Sequence, residues 1–420
     1  MYRLSTLSNG LRLATVTMPH RASVALGIWV GVGGRHEVAG QSGISHFIEH
    51  MLFKGTRRRS AREISEAVEG VGGYLNAFTS EEHTCFYARA HHVRLPELID
   101  VLFDMYLDSL FEPAEIAKER EVIKEELAMY FDQPAQHVHE LLNETSWPDQ
   151  PLGRPLTGTP ATLDGLRRRH FLTHLATHYV ASNTVIVAAG CVEHEPLRRR
   201  LQNVAKRLRL GSAPAPEPAR VAQTRPRIRL HSKDTEQTQI AWGIRTCSRH
   251  DPRRFALRIL NVLLGENMSS RLFQSLREDH GLAYNIQSSP SSWNDAGDLV
   301  ISAGLDTDRL ESAIRLIRKE LLRLGSRLVG AAEFSRAKDY LLGQMDLSLE
   351  GTENHMMTLG EQILGYGRIY RPPELRRLLS AVTAEEVRQA ARDFIQSDRM
   401  NLALVSPRKS SRGLESLLTI

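Results

Sequence analysis

His46, Glu49 and His50 stand in the order H-x-x-E-H within His46-Phe47-Ile48-Glu49-His50. Residues four apart on a helix share a face, so both imidazoles can point at one metal ion. Glu49 falls beside them, where a carboxylate can take a proton from an attacking water. Two imidazoles do not complete a catalytic zinc site. Such a site normally takes three protein ligands and leaves one position open.

A third ligand has candidates downstream. The run Lys118-Glu119-Arg120-Glu121-Val122-Ile123-Lys124-Glu125-Glu126-Leu127 is rich in strong helix formers. Ile116, Val122, Ile123 and Leu127 are expected to mark its buried side. Glu119 and Glu126 are two turns apart and share a face. One can be the ligand and the other its support; spacing does not say which is which.

Five residues alone do not separate a metal site from a chance run, but their surroundings do. Ser45-His46-Phe47-Ile48-Glu49-His50-Met51-Leu52-Phe53-Lys54-Gly55-Thr56 resembles the active-site helix of the pitrilysin/insulinase superfamily of zinc peptidases, which carry this inverted motif. Within it the chain is most similar to the processing peptidase β subunit of mitochondria and its bacterial relatives. The likeness begins at Leu7-Ser8-Asn9-Gly10-Leu11-Arg12 and extends into the C-terminal half. It implies a zinc endopeptidase with one Zn²⁺ per chain. The family places its third ligand about 76 residues after the second histidine, which selects Glu126 and leaves Glu119 in support.

The resemblance also assigns substrate-binding residues. Gly72-Gly73-Tyr74-Leu75-Asn76-Ala77-Phe78-Thr79-Ser80 reads by itself as a hairpin. In the family the matching strand is an exposed edge on which a peptide adds as a further strand, with Asn76 and Ala77 next to the scissile bond. Ser270 to Tyr284 matches a second family segment, whose Arg and Tyr fall on Arg277 and Tyr284. These would hold a substrate carbonyl and stabilise an oxyanion; without the family they read as a surface Arg and a half-buried Tyr. The β subunit has acids ten and fourteen positions past its zinc Glu, which read an Arg near the cleavage site. Here those positions are Gln136 and Glu140, so one acid is absent and Arg specificity does not carry over.

Several other histidines read as ordinary surface or core residues. His137 and His139 face different ways on a helix, His83, His91 and His92 lie on or near a strand, and His280 sits in a polar turn.

These motifs need a scaffold, and the chain of 420 residues is long enough for two domains. Its 41% hydrophobic and 25% charged residues are those of a globular protein, and no apolar run is long enough to span a membrane. Met1-Tyr2-Arg3-Leu4 leads straight into a strand-like segment, which argues against a signal peptide. Three scattered cysteines fit a reducing compartment, and a cytoplasmic bacterial protein is expected. The net charge of +5 is dispersed and not interleaved with aromatics, so no nucleic-acid partner is expected.

Gly211-Ser212-Ala213-Pro214-Ala215-Pro216-Glu217-Pro218-Ala219 reads as an extended linker. It divides the chain into a zinc-binding domain (1–210), a linker (211–226) and a second domain (227–420) that supplies Arg277 and Tyr284. The halves repeat one order of strands and helices, with a helix expected at 42–54 in the first and at 252–264 in the second. Setting Gly55 on Gly265 puts His46, Glu49 and His50 on Ala256, Ile259 and Leu260. Setting Ala114 on Ala332 puts Glu119 and Glu126 on Ala337 and Gln344. The second repeat therefore keeps the scaffold without the ligands.

The expected fold is α+β: two homologous domains, each a mostly antiparallel mixed sheet packed with helices. Family members of about 1000 residues enclose peptides between two such pairs, so this chain implies a homodimer acting on peptides. A heterodimer with a homologous α-type subunit, or a non-catalytic core-type scaffold, are the alternatives.

Overall fold

A computed structural model describes residues 1–419. Eleven strands among them form two sheets. The first contains β1 (Tyr2–Thr6), β2 (Arg12–Thr17), β3 (Ser23–Val30), β4 (Tyr74–Thr79), β5 (Thr84–His91) and β6 (Thr184–Gly190). Their spatial order is β1-β2-β6-β3-β5-β4. The second contains β7 (Arg227–Ser232), β8 (Thr238–Arg245), β9 (Ala283–Ser292), β10 (Gly297–Leu305) and β11 (Met400–Ser406), ordered β7-β11-β8-β10-β9. One pair in each sheet is parallel, β2 with β6 and β7 with β11; every other pair is antiparallel. Leaving out β1, the two sheets have the same order and the same directions, so the repeat read from the sequence is a repeat of topology.

The central strands are rich in β-branched and aromatic residues and are buried on both faces. Such a sheet needs a helical layer on each side. In the first unit, one layer includes the helices Ile44–Leu52 and Leu95–Asp108. The other is the helix Thr352–Tyr366, whose Met356, Leu359 and Ile363 pack on Trp29, Val185 and Val187. There the backbone itself meets the sheet: a Cβ at Gly360 would lie 2.1 Å from Cε2 of Trp29.

That packing makes the compact units discontinuous in sequence. The first comprises Met1–Leu127, Arg154–Glu217 and Leu347–Tyr370. The second comprises Ala128–Gly153, Pro218–Asp346 and Arg371–Ile420. In the second, the helix Pro134–Ser146 covers one sheet face with Val138, Leu141 and Leu142 against Ala241, Ala403 and Val405. Each half of the chain thus contributes one helix to the other half's sheet. Residues 210–224, at the proline-rich stretch, form neither helix nor strand.

Two local expectations are corrected. The buried stripe of the helix Pro113–Asp132 is Ile116, Glu119, Ile123 and Leu127, whereas Val122 is 51% exposed. A glutamate occupies the stripe because its carboxylate finds partners there. The helix expected over 252–264 spans Arg254–Asn261 and continues as a wider turn over Val262–Glu266. No helix of the described residues is long and apolar enough to cross a membrane. Cys85, Cys191 and Cys247 are free thiols.

Candidate metal centre

The helix Ile44–Leu52 buries Ile44, Phe47, Ile48, Met51 and Leu52 in the core of the first unit. This 3-1-3-1 spacing leaves His46, Glu49 and His50 on the opposite, partly open face. Glu126 projects toward them from the helix Pro113–Asp132. The Nε2 atoms of His46 and His50 are 3.2 Å apart, and Glu126 Oε2 lies 3.8 and 3.7 Å from them. Three donors on a tetrahedral zinc with bonds of about 2.0–2.2 Å stand about 3.3–3.6 Å apart. The observed triangle therefore fits zinc with small movements. Two imidazoles and a carboxylate also form a catalytic type of donor set, with a fourth position left for reactants. These three residues are the one such group among the described residues.

Each neighbour has a distinct task. His50 Nδ1 donates to Glu119 Oε1 at 2.8 Å, which fixes the tautomer and frees Nε2 as a lone-pair donor. Lys54 Nζ holds the other Glu119 oxygen at 2.7 Å. Burial pushes the Glu119 pKa up, but the bonds from His50 and Lys54 outweigh it and leave it lowered. Thr79 Oγ1 donates to Glu49 Oε2 at 2.6 Å and aims that carboxylate. Burial raises the Glu49 pKa and makes it a better base, partly offset by Thr79 and His50. Burial, then repulsion from His50, pushes His46 down to about 3, which keeps it neutral, as a ligand must be.

Lys54 and Thr79 were not singled out from the sequence. Lys54 had a signal, since it follows His50 by four residues. Thr79 had none, because its contact depends on how β4 approaches the helix.

β4 is the edge of its sheet and pairs only with β5. Asn76 is exposed there and Ala77 is buried. The Asn76 amide donates to Tyr74 Oη at 2.6 Å and accepts from the Ala77 N–H at 2.8 Å. Arg277 and Tyr284 lie in the second unit and are together: the guanidinium carbon is 5.5 Å from the Tyr284 ring centre and 4.8 Å from that of Phe273. Tyr284 is 79% exposed, more than the half-buried residue its surroundings in sequence suggest. Gln136 and Glu140 are on the helix Pro134–Ser146, also in the second unit. Burial, then Glu144, raises the Glu140 pKa.

A histidine cluster lies beside the helix Ile44–Leu52. His178 is 4.5 Å from His174 and 5.9 Å from His36 between ring centres, and His174 Nε2 is 3.5 Å from Ser45 Oγ. Burial, then His178 and Arg35, lowers His36 to about 4. Burial, then His178 and His36, lowers His174 to about 3. Folded values below the unfolded 6.5 mean that acid favours the unfolded chain. Stability from the two is complete above pH 6.5 and is lost as pH falls toward 4 and 3. At pH 5 the loss is about 2 kcal/mol for each histidine. The urea midpoint should therefore fall between pH 7.5 and 5, and His174→Asn should flatten that slope. An unchanged slope in the variant would remove the cluster as the cause.

The chain matches the family model described as Insulinase (Peptidase family M16) over residues 12–160. Residues 166–341 match the model described as Peptidase M16 inactive domain. An uncharacterized zinc protease of Streptomyces coelicolor is 36% identical over 98% of this chain and 91% of its own. The uncharacterized zinc protease YmxG of Bacillus subtilis is 36% identical over 97% of this chain and 98% of its own. A crystal structure of a protease from Helicobacter pylori superposes with a TM-score of 0.90 over 97% of this chain and 99% of its own. At 20% identity that likeness concerns the fold.

Proposed function

Since the chain belongs to the insulinase family, the zinc proteases of peptidase family M16, we propose that it is a zinc endopeptidase with one metal site, in its first repeat. The observation that carries the reading is the convergence of His46, His50 and Glu126 beside an aimed, non-ligating Glu49. His46, His50 and Glu126 would hold one zinc ion. Zinc, when bound, supplies a Lewis acid that polarises the scissile carbonyl and makes water a nucleophile near neutral pH.

The rest of the reaction falls to the chain. Glu49 takes the proton of the attacking water and returns it to the leaving amine. Thr79 engages Oε2, so Oε1 is the oxygen free to accept that proton. Glu119 keeps His50 in the ligand tautomer, and Lys54 keeps Glu119 charged. The open edge of β4 offers backbone groups to an extended peptide, which gives affinity with little dependence on sequence. Asn76 must release the Ala77 N–H for a peptide to use it. An edge-strand mode favours peptides and unfolded segments, whose backbone groups are free to pair along their length.

We assign Arg277 and Tyr284 to the carbonyl side of the substrate, and a second copy of this chain as the simplest partner. The chain has one ligand-bearing repeat, and the second repeat has Ala256, Ile259 and Leu260 where the first has His46, Glu49 and His50. In a two-fold dimer each second repeat would serve the partner's metal site. Mixing Glu49→Gln chains with Arg277→Ala chains should then restore activity at about a quarter of the sites. No restoration would mean that each chain works alone.

The primary test is zinc content together with cleavage of an internally quenched peptide of mixed sequence. About one zinc per chain is expected, with cleavage abolished by chelator and restored by zinc. Bound zinc without cleavage would point to a missing homologous subunit. Neither zinc nor cleavage would overturn the enzyme reading in favour of a scaffold.

A further inference from the structure

We infer that Glu37 is a positioning residue for the zinc helix: its buried carboxylate holds the first helical turn and thereby aims His46. The inference rests on the zinc reading and deepens it.

Glu37 stands outside the helix Ile44–Leu52, in the loop that precedes it. Its Oε2 accepts from the Gly43 N–H at 2.7 Å, and its Oε1 from the Ser45 N–H at 2.8 Å. Both oxygens are therefore spent on main-chain donors that a helix start leaves without partners. The residue is 5% exposed, and its own carbonyl is held by Arg154 Nη1 at 2.6 Å.

A cap from outside is needed because the ordinary one is excluded. The N-cap position is Gly43, and the helix has neither a side-chain cap nor an acid in its first turn. Ser, Thr, Asp or Asn would normally serve there. Gly43 has φ +91°, and a Cβ on it would lie 2.7 Å from the Thr157 carbonyl oxygen and 2.9 Å from Gly158 Cα. A side chain at that position is barred by both strain and collision. A carboxyl group arriving from Glu37 reaches the Gly43 and Ser45 N–H groups in place of an N-cap side chain.

The consequence for the metal follows from His46. His50 is steered by Glu119 and Glu49 by Thr79. His46 Nδ1, in contrast, is buried without a hydrogen-bond partner among the described residues. The aim of this imidazole thus depends on its backbone, and His46 is the third residue of the turn that Glu37 holds.

The test uses the full chain with Glu37→Gln and Glu37→Ala. Zinc affinity is measured by competition with a chromophoric chelator, and kcat and KM on a quenched peptide at saturating zinc. Hydrogen exchange over residues 44–50 is measured on metal-free protein. Glu37→Ala is expected to lower zinc affinity about 10–100-fold, the range for groups that orient a ligand. It should also lower kcat with KM nearly unchanged and speed exchange in the first turn. Glu37→Gln keeps one acceptor and should fall between Ala and wild type. If Glu37→Ala does not fold, Glu37→Gln alone carries the test. Variants that fold with wild-type zinc affinity and kcat overturn the inference, even if they melt earlier, because the role is then structural only. Wild-type protein that takes up no zinc would sink the peptidase reading separately. The exchange comparison needs no metal and would still decide whether Glu37 holds the turn.

Discussion

Glu49→Gln is expected to bind zinc as wild type does and to lose peptide hydrolysis by about 10²–10⁴-fold, the contribution of a positioned general base. The substitution changes almost nothing but basicity. Glu49 is not one of the three convergent donors, so the metal triangle is untouched. A glutamine of the same shape can still accept from Thr79 Oγ1, and the side chain stays where Glu49 Oε2 now receives that bond. What is lost is a carboxylate whose proton affinity burial has raised, in a position beside the ligand imidazoles. An amide cannot take a proton from water at any working pH. The loss should fall on kcat, because the proposed peptide-binding edge at β4 does not involve the Glu49 carboxylate. The measurement is zinc stoichiometry plus steady-state kinetics on one quenched peptide. A variant within tenfold of wild-type kcat would remove Glu49 as the base. Zinc lost along with activity would instead make Glu49 part of the ligand set.

The sequence exposed what depends on local periodicity and concealed what depends on approach. His46, Glu49 and His50 were legible because helical geometry over four residues is nearly fixed. The repeat was legible for the same reason. With Ala114 set on Ala332, Glu119 and Ile123 fall on Ala337 and Leu341, which are the buried positions of the helix Ala331–Ser348. The same stripe thus contacts a core in both repeats, and only the first inserts a carboxylate into it. Val122 was placed on the wrong side because apolarity was weighed without knowing that Glu119 would have buried partners. Thr79 and Glu37 contact the helix Ile44–Leu52 and its N-cap from a separate strand and a preceding loop, at separations that no periodicity connects. The reciprocal contribution of Pro134–Ser146 and Thr352–Tyr366 was hidden as well. The Pro/Ala stretch marks a break in composition, and composition does not say which sheet a helix will cover.

Spacing left Glu119 and Glu126 as equals, and their substitution should separate them sharply. Glu126→Ala removes a carboxylate oxygen that lies within 3.8 Å of the Nε2 atoms of both His46 and His50. Two imidazoles remain, one short of a catalytic set. Zinc affinity should fall well beyond about 100-fold, the upper range for residues that merely support a ligand. Activity at ordinary zinc concentrations should vanish with it. Glu119→Ala leaves all three donors in place and removes the acceptor for His50 Nδ1. His50 then loses its fixed tautomer, and Lys54 loses its partner at 2.7 Å. Zinc affinity should drop about 10–100-fold, and excess zinc should recover part of the turnover. Glu119→Gln, which can still accept from His50, should lie nearer to wild type than Glu119→Ala. Competition with a chromophoric chelator at one pH makes the comparison, since ligands bind metal only when deprotonated. Equal loss in the two alanine variants would make Glu119 a ligand in its own right. A larger loss in Glu119→Ala would exchange the two roles. The order expected from the distances is Glu126→Ala, then Glu119→Ala, then Glu119→Gln, because a missing donor costs more than a misaimed one.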